Sequence, residues 1–258
     1  NLGFEVRKGS PCNFYNEKRQ ISMSVHGDDF TSTGTEASLR WLDGQLRAAY
    51  EIKTKYLGPE GRLGHLQEVR VLNRVIRWTK DGITYEADQR HAEMIVAEFG
   101  LESGKAVTTP GSKEDMAKAA EQNENEDTAP LTPQETIAYR ATCARLNYLA
   151  LDRPDIQYAA KEASRKMGTP QAGDWAIVKR IARYLKGVPR MVQLFEWQQW
   201  PEKVYTFVDS DWAGCHRTGK STSGGAAMIG SHLIKSWSTT QATIALSSGE
   251  AELYALVK

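Results

Sequence analysis

Alternating runs of apolar and polar residues, followed by a run with helical spacing, open the chain. Residues 20–26 and 30–34 alternate and flank the sequence Gly27-Asp28-Asp29. Two such runs on either side of a short polar tip predict a β-hairpin. Residues 35–50 then carry apolar side chains at spacings of three and four, which predicts an amphipathic helix on the C-terminal side of the hairpin.

The hydrophobic period changes twice in the rest of the chain. Residues 51–79 are strand-like, and residues 85–99 have a helical spacing that stops at Gly100. Three helices are then predicted from Thr132 to about Leu151, from Arg153-Pro154-Asp155 onward and over 174–185, followed by strands over 204–209, 224–230 and 232–238 and a closing helix capped by Ser247. The pattern therefore predicts a mixed α/β fold of the α+β type.

The composition is that of a globular protein, and the near-neutral net charge does not indicate a binding partner. The chain has 258 residues, 40% hydrophobic and 25% charged, with a net charge of +1, which is typical of one or two globular domains. Cys12, Cys143 and Cys215 are odd in number and far apart, which argues against a disulfide framework or a zinc knuckle. The sequence has neither a signal-peptide pattern nor an apolar run of about 18 residues, so we expect no membrane partner and no secretion.

Charge is distributed unevenly along the chain. Residues 113–128 hold six acidic residues and two lysines, which predicts a solvated acidic linker over 110–133. Residues 140–190 hold eleven basic and four acidic residues. Within them Lys179, Arg183 and Lys186 recur on one face of a predicted helix. Two interpretations stay open for this face, namely binding of nucleic-acid phosphates and plain solvation.

The segment from Gly214 to Ser221 fits the phosphate-loop pattern G-x-x-x-x-G-K-S/T. A phosphate loop requires a helix directly after it, because the N-terminus of that helix helps to bind the phosphates. The residues after Ser221 are Thr222-Ser223-Gly224-Gly225, which form helices poorly. Asp209 and Asp211 would also repel a triphosphate. The surrounding sequence therefore argues against a nucleotidase.

Two sets of carboxylates are candidates for metal ligation. Asp28 and Asp29 are adjacent at the predicted hairpin tip, where a divalent cation would relieve their repulsion, although ordinary turn chemistry also favours Asp there. Asp209 ends a predicted strand, with Asp211 as the alternative. Glu250 and Glu252 lie about 200° apart around the last helix, so they cannot face the same metal. Glu250 suits the start of that helix, which leaves Glu252 as the ligand candidate.

These fragments together resemble the Pol polyprotein of copia-type LTR retrotransposons, from the end of the reverse transcriptase palm into ribonuclease H. His26-Gly27-Asp28-Asp29 resembles the Tyr-x-Asp-Asp hairpin, with His in place of Tyr. The other matching fragments are Arg62-Leu63-Gly64, Thr109-Pro110, Tyr139-Arg140, Asn147-Tyr148-Leu149-Ala150, Arg153-Pro154-Asp155-Ile156, Arg183-Tyr184-Leu185-Lys186-Gly187, Asp209-Ser210-Asp211-Trp212-Ala213-Gly214, Lys220-Ser221-Thr222-Ser223-Gly224, Ser236-Trp237-Ser238 and the Glu-Ala-Glu helix. Their order and spacing extend the resemblance over nearly the whole chain.

The resemblance implies a division of the chain and a function. Residues 1–109 would be the C-terminal part of reverse transcriptase (palm hairpin and thumb), 110–133 the linker, 134–189 a helical connection, and 190–258 the N-terminal part of a ribonuclease H-like domain, truncated to three antiparallel strands plus a helix. The parent would be an RNA-directed DNA polymerase with ribonuclease H activity on RNA–DNA hybrids. Both reactions would be two-metal phosphoryl transfers that use Mg²⁺.

The implied metal ligands are Asp28 and Asp29 for polymerisation and Asp209 and Glu252 for ribonuclease H. The remaining carboxylates would lie before Asn1 and after Lys258, so we expect a piece of a longer polypeptide that is inactive alone. The implied partners are an RNA template, a DNA primer, their hybrid and the rest of the polyprotein. The implied location is the cytoplasm, in a virus-like particle, or the nucleus. A catalytically dead remnant that only binds nucleic acid is the alternative.

Overall fold

The computed structural model describes residues 2–101, 103–111, 128–215 and 218–257. The chain forms two compact units, Asn1–Val71 and Leu72–Lys258. Of the described residues, 33% are helical and 32% lie in strands, so the predicted mixture of helix and strand is confirmed. Most of the predicted acidic linker lies outside the described residues. The predicted division at residues 109, 133 and 189 stays a prediction, because it concerns segments of a polyprotein.

The first unit begins with an antiparallel sheet in the order β1-β2-β3-β4. Its strands are β1 (Glu5–Arg7), β2 (Ser10–Asn16), β3 (Ile21–His26) and β4 (Asp29–Thr33). The predicted hairpin is confirmed, since His26 of β3 pairs with Asp29 of β4. Gly27 has φ +63° at the first central position of the two-residue turn, the position where type II′ turns require glycine.

A helix and three short strands complete the first unit. They are α1 (Glu36–Ala49), β5 (Tyr56–Leu57), β6 (His65–Leu66) and β7 (Glu68–Val71), with β5 and β6 parallel. The Thr35 side chain caps α1 by accepting a hydrogen bond from the Ser38 amide at 3.3 Å. Ile21 and Leu42 are the buried apolar residues of the sheet and the helix, at 0% and 3% exposure.

The second unit begins with β8 (Arg74–Trp78), β9 (Gly82–Glu86) and α2 (Gln89–Glu98). The helix predicted over 85–99 is therefore wrong at its start, because Tyr85 and Glu86 belong to β9. This strand pairs with β8, and Asp88 accepts a hydrogen bond from the Arg90 amide at 3.1 Å, which fixes the helix start. The apolar period of a short strand merges with that of the helix behind it, so periodicity alone misplaced the boundary.

Three helices follow, as the sequence predicts. They are α3 (Pro133–Ala150), α4 (Gln157–Ser164), which is entered through a 3-10 turn at Pro154–Ile156, and α5 (Trp175–Gly187). Thr132 and Glu135 form a reciprocal capping box at the start of α3. One core joins α2 to these helices, and its least exposed members, at 0%, include Ile95, Leu146, Ile156, Ile181 and Leu185.

The tail contains β10 (Val192–Glu196), β11 (Val204–Cys215), β12 (Lys220–Ile229), β13 (His232–Thr240) and α6 (Ser248–Leu256). β10 pairs with β9. The last three strands form an antiparallel sheet in the order β11-β12-β13, and α6 packs on β11 and β12. The predicted arrangement of three antiparallel strands followed by a helix is therefore confirmed. Asp209 lies near the middle of β11, which is an edge strand of the described sheet.

In the described ranges, no helix combines the length and apolar character that crossing a membrane requires.

A buried carboxylate connects β9 to the segment before β10. Glu86 is 1% exposed and accepts hydrogen bonds from Arg190 at 2.6 and 2.8 Å and from Arg77 at 2.9 Å. The hydrogen bonds from Arg190 lower the pKa of Glu86 most, and those from Arg77 and Gln89 add to them. Together they lower the pKa from 4.5 to about 2, although burial opposes the shift.

We expect Glu86→Gln to lower the free energy of unfolding by about 2 kcal/mol at pH 7, because it removes charged hydrogen bonds from a buried site. A depressed folded-state pKa contributes stability above the unfolded value, and that contribution disappears as the pH falls through the folded value. The difference in unfolding free energy between Glu86→Gln and wild type should therefore shrink as the pH falls from 4.5 to about 2. Urea unfolding across that range measures it, with exposed Glu202→Gln as the control. A difference that does not change with pH would contradict this account.

Candidate functional site

Asp28 and Asp29 lie at the tip of the β3–β4 hairpin, and both are exposed. None of the ion pairs found among the described residues includes either carboxylate. The expectation of an open tip, with neither aspartate held by a core arginine, is therefore confirmed. The two side chains are free to approach a cation or a substrate.

The Glu252 carboxylate of α6 lies against the edge of β11. Its Oε1 accepts a hydrogen bond from the backbone amide of Ser210 at 3.2 Å, and this amide belongs to the peptide that follows Asp209. Asp209 and Glu252 are both exposed. The fold therefore brings Glu252 to the peptide that follows Asp209, whereas the close approach of the two carboxylates stays a prediction. A shared metal between their carboxylates stays a prediction.

Glu250 faces a different environment from Glu252. Its carboxylate accepts hydrogen bonds from the Leu246 amide at 2.7 Å and from the Tyr254 hydroxyl at 2.6 Å. The Tyr254 hydroxyl lowers the pKa of Glu250 most, followed by the Leu246 amide. Ser247 caps the same turn by accepting a hydrogen bond from the Glu250 amide at 3.2 Å. The prediction that Glu250 serves the helix start and points away from Glu252 is confirmed.

Asp211, the alternative to Asp209, is already engaged inside the β11–β12 hairpin, where its carboxylate accepts a hydrogen bond from the Thr222 amide. The phosphate-loop interpretation is wrong, because Lys220 pairs with Cys215 and opens the antiparallel strand β12. A phosphate loop would need a helix at that point. The hairpin therefore leaves Asp209 as the more accessible of the two aspartates.

The donor chemistry of Asp28, Asp29, Asp209 and Glu252 suits Mg²⁺, which prefers carboxylate oxygens. Within the part of the chain that the structure describes, no group of three or more His, Cys, Asp or Glu side chains is arranged to hold a metal ion. The assignment of these four carboxylates to Mg²⁺ therefore stays a prediction.

The three predicted nucleic-acid contacts on α5 have unequal surroundings. Lys179 is exposed. Arg183 donates a hydrogen bond to the Lys105 carbonyl at 2.8 Å, and Lys186 donates one to the Gly104 carbonyl. A carbonyl is neutral, and no ion pair found among the described residues includes Arg183 or Lys186, so both positive charges contribute to a basic face. Lys179 is the one of the three whose whole head group is open to a ligand.

Sequence reasoning missed Gln241, which is 6% exposed at the end of β13. Its Nε2 lies within hydrogen-bond distance of Ser210 Oγ, Ser223 Oγ and the Ala251 carbonyl. A single amide therefore contacts two strands and the helix that carries Glu252. A lone glutamine between a strand and a helix has no periodicity or spacing that would reveal this contact in the sequence.

Comparison with known proteins identifies relatives of this chain by sequence similarity. No protein-family model matches it, and no solved structure matches it. The uncharacterized mitochondrial protein AtMg00810 of Arabidopsis thaliana is 31% identical over 236 residues, which is 91% of this chain and 89% of that protein.

Two much longer proteins also match. The retrovirus-related Pol polyprotein from transposon RE1 of Arabidopsis thaliana is 32% identical over 64% of this chain and 11% of its own length. The corresponding polyprotein from transposon TNT 1-94 of Nicotiana tabacum is 27% identical over 95% of this chain and 18% of its own length. The matches define a class of proteins related to retroelement polyproteins. The chain belongs to the family of the Pol polyproteins of copia-type LTR retrotransposons.

We expect Glu250→Ala to lower the melting temperature more than Glu252→Ala does. Glu250 joins the first turn of α6 to Leu246 and Tyr254, whereas Glu252 accepts one hydrogen bond among the described residues, at a strand edge. Thermal unfolding at pH 7 followed by circular dichroism compares the two alanine variants directly. A larger loss for Glu252→Ala would contradict the separation of the two roles.

Proposed function

We propose that this chain forms the end of the reverse transcriptase, the connection and the start of ribonuclease H in a parent Pol polyprotein. In this proposal the parent copies RNA into DNA and cleaves the RNA strand of the resulting hybrid. The chain spans 11–18% of the polyproteins RE1 and TNT 1-94, so the activity concerns the whole protein and not this segment alone.

One observation carries the proposal, namely the approach of the Glu252 carboxylate to the backbone amide that directly follows Asp209. The Glu252 carboxylate accepts a hydrogen bond from the Ser210 amide, directly after Asp209. If these two acids only stabilised the fold, we would expect a lysine or arginine side chain paired with them. Neither Asp209 nor Glu252 takes part in an ion pair found among the described residues. Two exposed acids beside the same peptide, neither of them in an ion pair found among the described residues, support a cation-binding role.

The residues have distinct tasks in this mechanism. Asp209 and Glu252 would hold Mg²⁺ for hybrid cleavage, and Asp28 and Asp29 would do so for polymerisation. Bound metal ions stabilise the attacking and leaving oxygens of phosphoryl transfer. The Ser210 amide orients the Glu252 carboxylate, and the exposure of all four acids leaves room for the nucleic-acid backbone.

The basic face of α5 supports the proposed RNA–DNA hybrid as partner. Lys179 is exposed, and the charges of Arg183 and Lys186 are not neutralised by carboxylates within the described ranges. Phosphate contacts of this kind give affinity without sequence preference.

A second candidate function is nucleic-acid binding without catalysis. His26 stands where the resembling family has tyrosine, and the described residues contain no group of three carboxylates or other metal ligands. Both candidate functions use the basic face of α5 to bind nucleic acid. They differ in that the acids bind catalytic metal ions only in the first.

We expect Asp209→Asn to abolish Mg²⁺-dependent cleavage when the chain replaces the aligned region of the TNT 1-94 polyprotein. The amide of asparagine keeps the shape of aspartate but cannot supply the charge that holds Mg²⁺. The assay is cleavage of the labelled RNA strand of an RNA–DNA hybrid.

Asp81→Asn is the matched control, because Asp81 is an exposed aspartate in the turn before β9, and it should cleave like wild type. Equal cleavage by Asp209→Asn and wild type would remove Asp209 from the mechanism. Hybrid binding with no cleavage by any of the three proteins would favour the non-catalytic candidate.

We expect Lys179→Ala to weaken binding of an RNA–DNA hybrid and to reduce the slope of log K against log salt by about 1, as for one lost phosphate contact. Fluorescence anisotropy of the isolated chain at several salt concentrations measures both. Lys203→Ala, at an exposed lysine just before β11, is the control and should bind like wild type. An unchanged slope for Lys179→Ala would rule out a phosphate contact at this residue.

A further inference from the structure

The buried amide of Gln241 lies at the junction of β11, β12 and α6. Its backbone amide donates to the Ser221 carbonyl at 2.8 Å, which extends the β12–β13 pairing by one residue. Its side-chain Nε2 lies 2.8 Å from the Ala251 carbonyl, 3.0 Å from Ser223 Oγ and 3.2 Å from Ser210 Oγ. These contacts form a hydrogen-bonded junction around a residue that is 6% exposed.

The two outer contacts of this junction are sequence neighbours of the proposed metal ligands. Ser210 directly follows Asp209, and Ala251 directly precedes Glu252. The Ser210 backbone amide is also the donor to the Glu252 carboxylate. One side chain thus contacts the hydroxyl of the residue after Asp209 and the carbonyl of the residue before Glu252.

Packing alone leaves the placement of α6 underdetermined. The helix has nine residues and buries small side chains against the sheet, Ala251 at 0% and Ala255 at 1% exposure. Small side chains permit close approach but resist sliding and rotation weakly, since they form few interlocking contacts. A helix this short also has little stability of its own. A directional hydrogen bond to the Ala251 carbonyl supplies the constraint that packing does not.

We propose that Gln241 is a positioning residue that fixes α6 on β11 and so holds Glu252 beside Asp209. The inference rests on the proposed function, because holding Glu252 in place matters for catalysis only if Glu252 binds a metal ion. The position of α6 itself is a property of the fold and can be measured without an activity assay. Glutamine suits the task because its amide donates to a helix carbonyl and its length reaches both strands.

Hydrogen exchange of the Ser210 amide, measured in the full chain, reports the position of Glu252, because this amide donates to the Glu252 carboxylate. We expect Gln241→Leu to speed this exchange about tenfold, the effect of losing one or two hydrogen bonds that hold the helix. The amide of Ala227, in the middle of β12, should not change. Gln198→Leu is the matched control, because Gln198 also bridges backbone groups but does so at Ile229 and Ser231.

The outcomes separate positioning from general stability. Unchanged exchange at Ser210 in Gln241→Leu, or an equal increase at Ala227, would overturn the proposal. If Gln241→Leu does not fold, Ser223→Ala decides, because it removes one acceptor and keeps the contact to Ala251. A roughly threefold faster exchange at Ser210 in Ser223→Ala would support the proposal, and no increase would overturn it.

A second measurement distinguishes this inference from the proposed function. Mn²⁺, used as a paramagnetic probe for a Mg²⁺ site, should broaden the Ser210 signal of wild type at about tenfold lower concentration than that of Gln241→Leu. If the same Mn²⁺ concentration broadens the Ser210 signal in both proteins, Gln241 has no role in placing the metal. Wild type without broadening would refute the metal site, and the exchange experiment would then still decide whether Gln241 positions α6.

Discussion

Burial of the apolar face of α5 is the constraint on which the second unit depends. Val178, Ile181 and Leu185 are fully buried in the core shared with α2, α3 and α4. Because the helix repeats every 3.6 residues, fixing this face inward fixes the basic residues of the opposite face outward. The basic surface is therefore a geometric consequence of core packing. Two of its cations also donate to the carbonyls of residues 104 and 105, so the same face orders the chain that leaves α2.

The helical core also supports the strands that carry the acidic pair. The α4 helix packs on β13, and Lys161 of α4 donates to the Thr222 hydroxyl at 2.7 Å. Since α6 packs on β11 and β12, the sheet is held by helices before and after it in the sequence. The position of Glu252 thus depends on a sequence of contacts that begins in the core, passes through β12, and ends at the buried amide of Gln241.

Local patterns predicted well those features that short stretches of chain determine. The Gly27 turn and the Thr132 cap each depend on residues that are close in sequence, whereas β11 and β12 extend into residues 210–215 and 220–223, beyond the predicted strands. The start of α2 was misplaced because the strand containing Tyr85 and Glu86 runs directly into the helix, so two periods overlap. The contacts of Gln241 and Arg183 could not be predicted, since their partners lie ten to 78 residues away and have no pattern that relates them.

Stability and proposed chemistry are located in different parts of the molecule. Asp28, Asp29, Asp209 and Glu252 are exposed, where water screens the repulsion between carboxylates. The fold therefore does not need a metal ion to offset buried charge at these positions, whereas Glu86 is buried and held by arginines. A chain of this kind can keep its fold while its acids change. Loss of catalysis in a retroelement copy would then leave a folded protein that still presents the basic face of α5, because the core and not the acids maintains that face.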